Sequence, residues 1–278
     1  MELFAFDFMR RAFVVGILLG AIIPCIGVIV VLKRLSMIGD ALSHTSLAGV
    51  AGGLLMGINP IVGAMAACIL GALGIEAIRK KLGRYAELSI AIVLSAGVGL
   101  AGVLSGLLQG GSGFNSFLFG SIVAISDFEL GLVALISVAV IVAFVLLYKE
   151  LFAVSFDERG ARLAGVPVRT VNFVLTLLTA VTVSVAARTV GALMVSSLMV
   201  VPVVCSMQFA RSYRGMVVGA VLFGVGFTVA GLALSYYLGL RPGATIVLTG
   251  VCCLTVVLLA TKTVGMYRKA AGKAVRHE

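Results

Sequence analysis

The chain has 278 residues, of which 61% are hydrophobic and 12% are charged. Soluble domains carry about 25% charged residues, so this composition excludes an ordinary soluble domain and indicates an integral membrane protein. The formal net charge of +10 does not predict nucleic-acid binding, because no run of lysine and arginine is interleaved with aromatic residues. An excess of basic residues in cytoplasmic loops explains this charge better.

Eight segments are apolar over about the 20 residues that a helix needs to cross a bilayer. In chain order they are 12–32, 60–78, 88–109, 128–148, 168–187, 190–210, 215–238 and 244–261. A ninth segment, 36–57, is less purely apolar because it contains the sequence GDALSH. The segment 113–125 is too short to cross easily and is interpreted as a re-entrant or interfacial piece. No repeat or linker divides the chain, so 1–278 is predicted to be one all-helical transmembrane domain.

The basic residues predict the orientation of these spans. The tail 262–278 is rich in lysine and arginine, which places it in the cytoplasm. Counting back along the chain puts the basic stretches 149–167 and 79–84 on the same side. The pairs Arg10–Arg11 and Lys33–Arg34 exchange sides according to whether the ninth segment crosses. Because each pair carries two charges, the rule does not separate nine spans with the N-terminus outside from eight with it inside.

The longest polar stretch between predicted spans is 150–167. Its apolar residues Phe156, Ala161, Leu163 and Ala164 alternate with the charged residues Asp157, Glu158, Arg159 and Arg162. This pattern is typical of a short amphipathic helix on the cytoplasmic surface, which would suit the docking of a partner protein. A plain solvated loop is the alternative.

Asp40 and His44 stand out because ionisable groups are costly in a membrane and are usually functional. At helical spacing they share one face with Ser36 and Ser43. A carboxylate and a neutral imidazole aimed at one centre suit zinc, manganese or ferrous iron. The alternative is that Asp40 is a helix N-cap and that His44 is an ordinary polar residue at a membrane edge.

Pro202 lies in the middle of a predicted span. A proline there removes a backbone hydrogen bond and kinks the helix. The kink predicts either a packing helix of fixed shape or a gate helix that moves. Ser196, Ser197 and Ser206 are the nearby hydroxyls available to the freed backbone groups.

Motifs for several other chemistries are missing from the sequence. There is no GxxxxGK[ST] phosphate loop, no HExxH and no Ser-His-Asp arrangement. The five cysteines lie in apolar runs without metal-ligand spacing. The chain is therefore predicted not to be an enzyme, and any ATP used would be bound by another subunit.

Four stretches together resemble the membrane subunits (permeases) of bacterial ATP-binding-cassette importers for zinc, manganese and iron. They are LKRLSMIGDALSHTSLAGVAGG at 32–53, FNSFLFGSIVAIS at 114–126, SFDERGARLAGVPV at 155–168 and VGALMVSSLMVVPVVCS at 190–206. The resemblance covers nearly the whole chain. It favours the nine-span topology and implies an importer-permease fold in the bacterial plasma (inner) membrane.

The resemblance also implies partners and roles. Two permeases would pair, most simply as a homodimer, and an extracytoplasmic binding protein would deliver the metal. Cytoplasmic ATPase subunits would dock on a coupling segment at 150–168, which contains Phe156, Asp157, Glu158, Ala161, Leu163, Gly165 and Val166. Asp40 and His44 would contact the transported zinc or manganese ion, and Pro202 would belong to the gate. No cofactor would be bound permanently.

Two other functions remain open at this point. A permease for a metal chelate, such as a siderophore or cobalamin, would have a wide apolar pathway and no ligand pair. A proton-coupled secondary metal transporter would use Asp40 and His44 as a proton relay and would need no ATPase.

Overall fold

The protein is described from a computed structural model, which covers residues 7–82, 85–108, 117–118, 120 and 125–274. Most of these residues are helical, and they contain no strand. The helices are α1 (Asp7–Leu32), α2 (Ile38–Leu55), α3 (Pro60–Leu82), α4 (Ala86–Leu107), α5 (Asp127–Leu146), α6 (Tyr148–Phe156), α7 (Glu158–Leu163), α8 (Val168–Ala186), α9 (Ala192–Met207), α10 (Tyr213–Leu238) and α11 (Pro242–Ala274). A π-helical turn, Ala187–Gly191, joins α8 to α9.

Seven helices in the described ranges are long and apolar enough to cross a membrane. They are α1, α3, α4, α5, α8 with the π-helical turn, α10 and the Pro242–Lys262 part of α11. The prediction of an all-helical, multi-pass membrane protein is confirmed. The total of nine spans stays a prediction, because α2 and α9 have 18 and 16 residues and α2 is more polar.

Helix α2 runs from one end of the bundle to the other. Just before it, Lys33 contacts Asn172 at the start of α8. Just after it, Asn59 lines a cavity together with Glu129 and Arg188 at the opposite end. At about 1.5 Å per residue its 18 residues extend about 27 Å, close to the thickness of a hydrocarbon core. This placement favours the crossing of the segment 36–57.

Helix α1 forms the centre of the core. More than half of its residues are buried, and it packs against α5, α9 and α10. The contact with α10 is close because glycines face each other. A Cβ on Gly20 would lie 3.0 Å from the carbonyl oxygen of Gly224. Small residues allow helices to approach in this way where the hydrophobic effect does not drive them together.

Helices α2 and α3 are joined by a similar contact. A Cβ added to Gly49 would collide with the carbonyl oxygen of Gly63, and a Cβ on Gly63 would lie 3.2 Å from the Cα of Gly53. Helix α2 also packs against α4 and α9. The helix that carries Asp40 and His44 is therefore held on several sides.

Two predicted segments differ from the structure or lie outside it. The stretch 150–167 was predicted as one short helix or a solvated loop, but the chain forms two helices, α6 and α7. The break occurs at Asp157, whose extended backbone and side chain cap α7. The predicted re-entrant piece at 113–125 lies mostly outside the described residues.

Candidate functional site

Asp40 and His44 lie on one helix, as their spacing predicts. Helix α2 begins at Ile38, so Asp40 is in its first turn and His44 is one turn further. The N-cap is Met37, without a side-chain cap, so the alternative role of Asp40 as an N-cap is wrong. Residues four apart stand on the same helix face, and both side chains are half-buried. They are called the Asp40–His44 pair below.

The faces of α2 on either side of the pair are occupied by other helices. A Cβ on Gly39 would lie 3.2 Å from the Cβ of Ser196 on α9. On the other side, a Cβ on Gly97 of α4 would lie 2.9 Å from the backbone nitrogen of Thr45. The pair points between these contacts. Within the described ranges it makes no hydrogen bond or ion pair, so its donor atoms are uncommitted.

The pair offers two donor atoms of the kinds that a divalent metal site would use. Carboxylate oxygen and imidazole nitrogen suit borderline divalent ions. Among the residues that the structure describes, no group of three or more His, Cys, Asp or Glu side chains could hold a metal ion. A protein-bound zinc ion usually has four ligands, so two donor atoms from this pair would not complete a site by themselves. Next to the pair, the hydroxyl of Ser43 is buried and has no hydrogen-bond partner among the described residues.

Apolar side chains fill the space one turn beyond His44, towards the end of α2. Leu47 and Ala48 pack in a buried cluster with Phe117, Ala101 and Ala187. These side chains cover the face of α2 that continues from His44. The Asp40–His44 pair is therefore separated from the Asn59 end of the bundle.

Arg188 covers Phe117 from the far side of this cluster. It lies in the π-helical turn, and its guanidinium carbon is 4.7 Å from the centroid of the Phe117 ring, which is a cation–π contact. Its Nε donates to Glu129 Oε1 over 2.9 Å. Glu129 in turn forms a capping box with Ser126 at the start of α5. π-Helical turns are frequent at functional sites. This one places the guanidinium group of Arg188 against Phe117, a member of the buried apolar cluster.

A cavity of about 640 Å³ lies beside this contact. Its lining includes the side chains of Asn59, Ser126, Phe128, Glu129 and Arg188. The positive-inside rule predicts a cytoplasmic coupling segment, and that orientation would place this cavity at the outer end of the bundle. The charges of Glu129 and Arg188 offset each other, so the cavity is not a preformed cation site.

The coupling segment has a buried side and an exposed side. Ala161 is buried, whereas Leu163 is 90% exposed and Phe156 is also exposed. Asp157 Oδ1 accepts from the backbone nitrogen of Arg159 and caps α7. Large exposed apolar side chains on a polar segment suit a protein contact.

Helix α7 ends in a left-handed turn. Gly165 has φ +84°, and the backbone nitrogen of Val166 donates to the carbonyl oxygen of Ala161 over 3.0 Å. This is the arrangement that commonly ends a helix at a glycine. Its fixed geometry presents α7 as a short rigid element. The role of these residues in ATPase coupling stays a prediction.

Pro202 is buried within α9. Ser206, one of the hydroxyls considered for the freed backbone, instead donates to the carbonyl oxygen of Met216 on α10 over 2.8 Å. That bond ties the end of α9 to α10. A gating role for Pro202 stays a prediction.

Sequence reasoning missed two polar contacts. It did not single out Glu129 or Arg188, although the spacing of Ser126 and Glu129 is that of a capping box. It also missed the contact of Lys33 with Asn172 and Glu158. No local pattern indicates that contact, because Lys33 is more than 100 residues from both of its partners along the chain.

Comparisons with known proteins agree with this geometry. Residues 5–262 match the model of the ABC 3 transport family. A Treponema pallidum protein named "Probable metal transport system membrane protein" is 36% identical over 92% of this chain and 97% of its own. A Listeria monocytogenes protein, "Manganese transport system membrane protein MntC", is 32% identical over 88% of both chains. A solved structure, "PsaBC from Streptococcus pneumoniae in complex with Fab", superposes with a TM-score of 0.81 at 26% identity over 91% of both chains.

The fold and the helix composition define a multi-pass membrane subunit of a transporter. The chain belongs to the ABC 3 transport family, and the resemblance stated from the sequence is confirmed. Family membership assigns the chain to transport and not to catalysis.

Proposed function

We propose that this chain is the permease subunit of an ATP-driven importer of divalent transition metal ions, with manganese as the first candidate and zinc as the second. The uncommitted Asp40–His44 pair on α2, in a member of this family, is the observation that carries the proposal. The relatives named for manganese transport support the choice of metal. Oxygen and imidazole ligands fit both ions.

The proposed site is completed by a second copy of the chain. Two Asp40–His44 pairs, one from each copy, supply two oxygen and two nitrogen ligands, enough for one partly dehydrated ion. A pair that belongs to no internal network is free to bind and to release. Transient binding suits transport better than a closed structural site, which would hold the ion.

The remaining partners follow from the exposed surfaces. Cytoplasmic ATPase subunits dock on the exposed Phe156 and Leu163 of the coupling segment at 150–168. An extracytoplasmic binding protein delivers the ion near the cavity beside Arg188. ATP-driven movement of the coupling segment exposes the Asp40–His44 pair to alternate sides in turn, and Pro202 gives α9 the kink about which a gate would bend.

Uptake into proteoliposomes tests this function. The chain is reconstituted with its ATPase and binding-protein partners, and uptake of manganese and zinc is measured with and without ATP. We expect ATP-dependent uptake that falls about 100-fold in Asp40→Ala and His44→Ala. Asp7→Ala and His277→Ala are the matched controls, since they remove an acid and the other histidine from outside α2.

Each contrary result has a distinct meaning. Unchanged uptake in Asp40→Ala and His44→Ala would contradict the proposal that this pair binds the transported ion. Uptake without ATP would favour a proton-coupled transporter. Transport of a chelate in place of the free ion would identify a chelate permease.

A further inference from the structure

Lys33 forms a buried polar contact between three separate parts of the chain. It directly follows α1, and only 7% of its side chain is exposed. Its Nζ donates to Oδ1 of Asn172 on α8 and lies 3.8 Å from Oε2 of Glu158 on α7. Asn172 Nδ2 donates to Glu158 Oε1 over 3.2 Å, which closes a triangle. The three residues are called the Lys33 triangle.

The triangle includes a residue of the proposed coupling segment. Glu158 is the first residue of α7, and its neighbour Asp157 is the cap of that helix. Another cation, Arg162, lies 4.0 Å from the same carboxylate, but it belongs to α7 and is largely exposed. Of these two cations, only Lys33 connects the carboxylate to α1.

A short hydrogen-bonded turn connects Lys33 to α2. Five residues separate α1 from α2, and they are held by backbone hydrogen bonds. The nitrogen of Leu35 donates to Val30 O over 2.8 Å, and that of Ile38 donates to Leu35 O over 2.9 Å. Arg34 has φ +57°, a left-handed conformation that is unfavourable for a residue with a Cβ. The turn is thus fixed by its own backbone hydrogen bonds at one end of α2 and by the side chain of Lys33 at the end of α1.

We propose that Lys33 is the positioning residue through which α7 moves α2, so that displacement of Glu158 by the docked ATPases shifts the turn before Asp40. The inference rests on the proposed function, because it takes 150–168 as the coupling segment. The mechanical sequence is short: Glu158 and Asn172 hold Lys33, Lys33 begins the turn, and the turn ends three residues before Asp40.

A purely structural ion pair is the competing explanation. Pairs of this kind often contribute little net stability, because the cost of desolvating the charges offsets their attraction. Loss of a structural pair would lower the amount of folded protein, and ATP hydrolysis and uptake would fall together. Loss of a positioning contact would leave hydrolysis in place and reduce the uptake obtained from it.

The experiment measures ATP hydrolysed per metal ion imported, in proteoliposomes of the complex with its ATPase and binding protein. Lys33→Met removes the charge and keeps a long side chain. We expect hydrolysis to continue while uptake per ATP falls about tenfold. Arg10→Met is the matched control, because it removes an exposed cation at the other end of α1, away from the coupling segment, and we expect an unchanged ratio.

A charge reversal covers the case in which Lys33→Met does not fold. Lys33→Glu combined with Glu158→Lys restores the pair in the opposite sense, and we expect it to recover uptake per ATP relative to each single reversal. A wild-type ratio in Lys33→Met, or equal ratios in the double and single reversals, would overturn the inference. Absence of ATP-dependent uptake by the unsubstituted complex would instead contradict the proposed function.

Discussion

Arg188 Nε lies 2.9 Å from Glu129 Oε1 and joins the π-helical turn after α8 to the first turn of α5. The two side chains are 20% and 10% exposed, so the pair is largely removed from water. Removal of one partner from a buried pair leaves an uncompensated charge, at a cost of about 3–5 kcal/mol. We expect Arg188→Ala to lower the free energy of unfolding by an amount near the lower end of this range, because Ser126 still donates to Glu129. Thermal unfolding in detergent measures it.

A neighbouring pair provides the control. Arg11 Nη2 and Asp127 Oδ1 are also 2.9 Å apart, but Asp127 is 83% exposed. An exposed pair contributes about 0–1 kcal/mol, so Asp127→Asn should hardly change the unfolding temperature. Equal losses in Arg188→Ala and Asp127→Asn would show that burial does not set the strength of the Arg188 contact.

The glycine contact between α2 and α3 makes a second prediction. In Gly49→Ala the new methyl group meets the backbone of Gly63, which cannot rotate away. Overpacking of this kind costs about 1–3 kcal/mol, and we expect a lower unfolding temperature. Gly226→Ala on α10 is the control, because nothing lies within 4 Å of the added Cβ. Since alanine is the better helix former by about 1 kcal/mol, that variant should be as stable as the wild type or slightly more so.

Because of Lys33, the free energy of unfolding should increase and uptake per ATP should decrease as the pH rises. Burial lowers its pKa from 10.5 to about 8, with the nearby Glu158 and Glu76 carboxylates opposing this shift and Arg79 adding to it. Between pH 8 and 10.5 the unfolded chain holds a proton that the folded protein has released. This difference adds stability as the pH rises through that window.

The charge of Lys33 is lost over the same window, and its attraction to Glu158 is lost with it. Uptake per ATP should therefore decline as the pH rises through about 8. Lys33→Met should show neither this decline nor the gain in stability. A parallel decline in the variant would assign the pH dependence to the ATPase or to another group.

The exposed side chains of the coupling segment predict a binding defect without a folding defect. Leu163 makes little contact within the chain, so Leu163→Ser should leave the unfolding temperature unchanged. Loss of an apolar contact at the centre of an interface should weaken ATPase binding about tenfold, measured by co-purification in a titration of the ATPase. Tyr237→Ser is the comparison, because this exposed residue lies near the opposite end of the bundle. Equal binding in Leu163→Ser and the wild type would place the docking surface elsewhere.

The topology can be read from a cysteine at position 34. With nine spans, Arg34→Cys faces the cytoplasm, whereas with eight it faces outside. We expect a membrane-impermeant maleimide added to intact cells to leave Arg34→Cys unmodified and Ile58→Cys modified. Cys252, the exposed native cysteine, is first replaced by serine. Labelling of Arg34→Cys in intact cells would support the eight-span topology.

Much of the fold could be predicted from the sequence, because membrane spans are set by length and hydropathy within the chain. The helix carrying Asp40 and His44 was predictable for the same reason, since a spacing of four residues implies one face. Whether α2 crosses the membrane was not predictable, because the charges at residues 10–11 and 33–34 are equal in number. The folded chain favours crossing, because Lys33 contacts Asn172 and Asn59 lines the same cavity as Glu129 at the opposite end of the bundle.

The polar contacts at the two ends of α8 could not be predicted from the sequence, for a different reason. The Lys33 triangle and the Arg188–Glu129 pair join residues that become neighbours only when several helices pack. Hydrophobic periodicity reports which face of a helix is buried, but not which polar side chains meet across the interface. The division of the coupling segment into α6 and α7 depended likewise on the backbone at Asp157.

The packing of Gly49 against Gly63 constrains how a bound ion could be released. Because α2 packs closely against α3 at this contact, and because Asp40 and His44 are four residues apart on one helix, they would meet an ion as a single chelating pair. Drawing them apart would require α2 to unwind. The affinity for the ion would instead change when the ligands opposite the Asp40–His44 pair move away. Release would thus be a change from a complete coordination shell to half a shell.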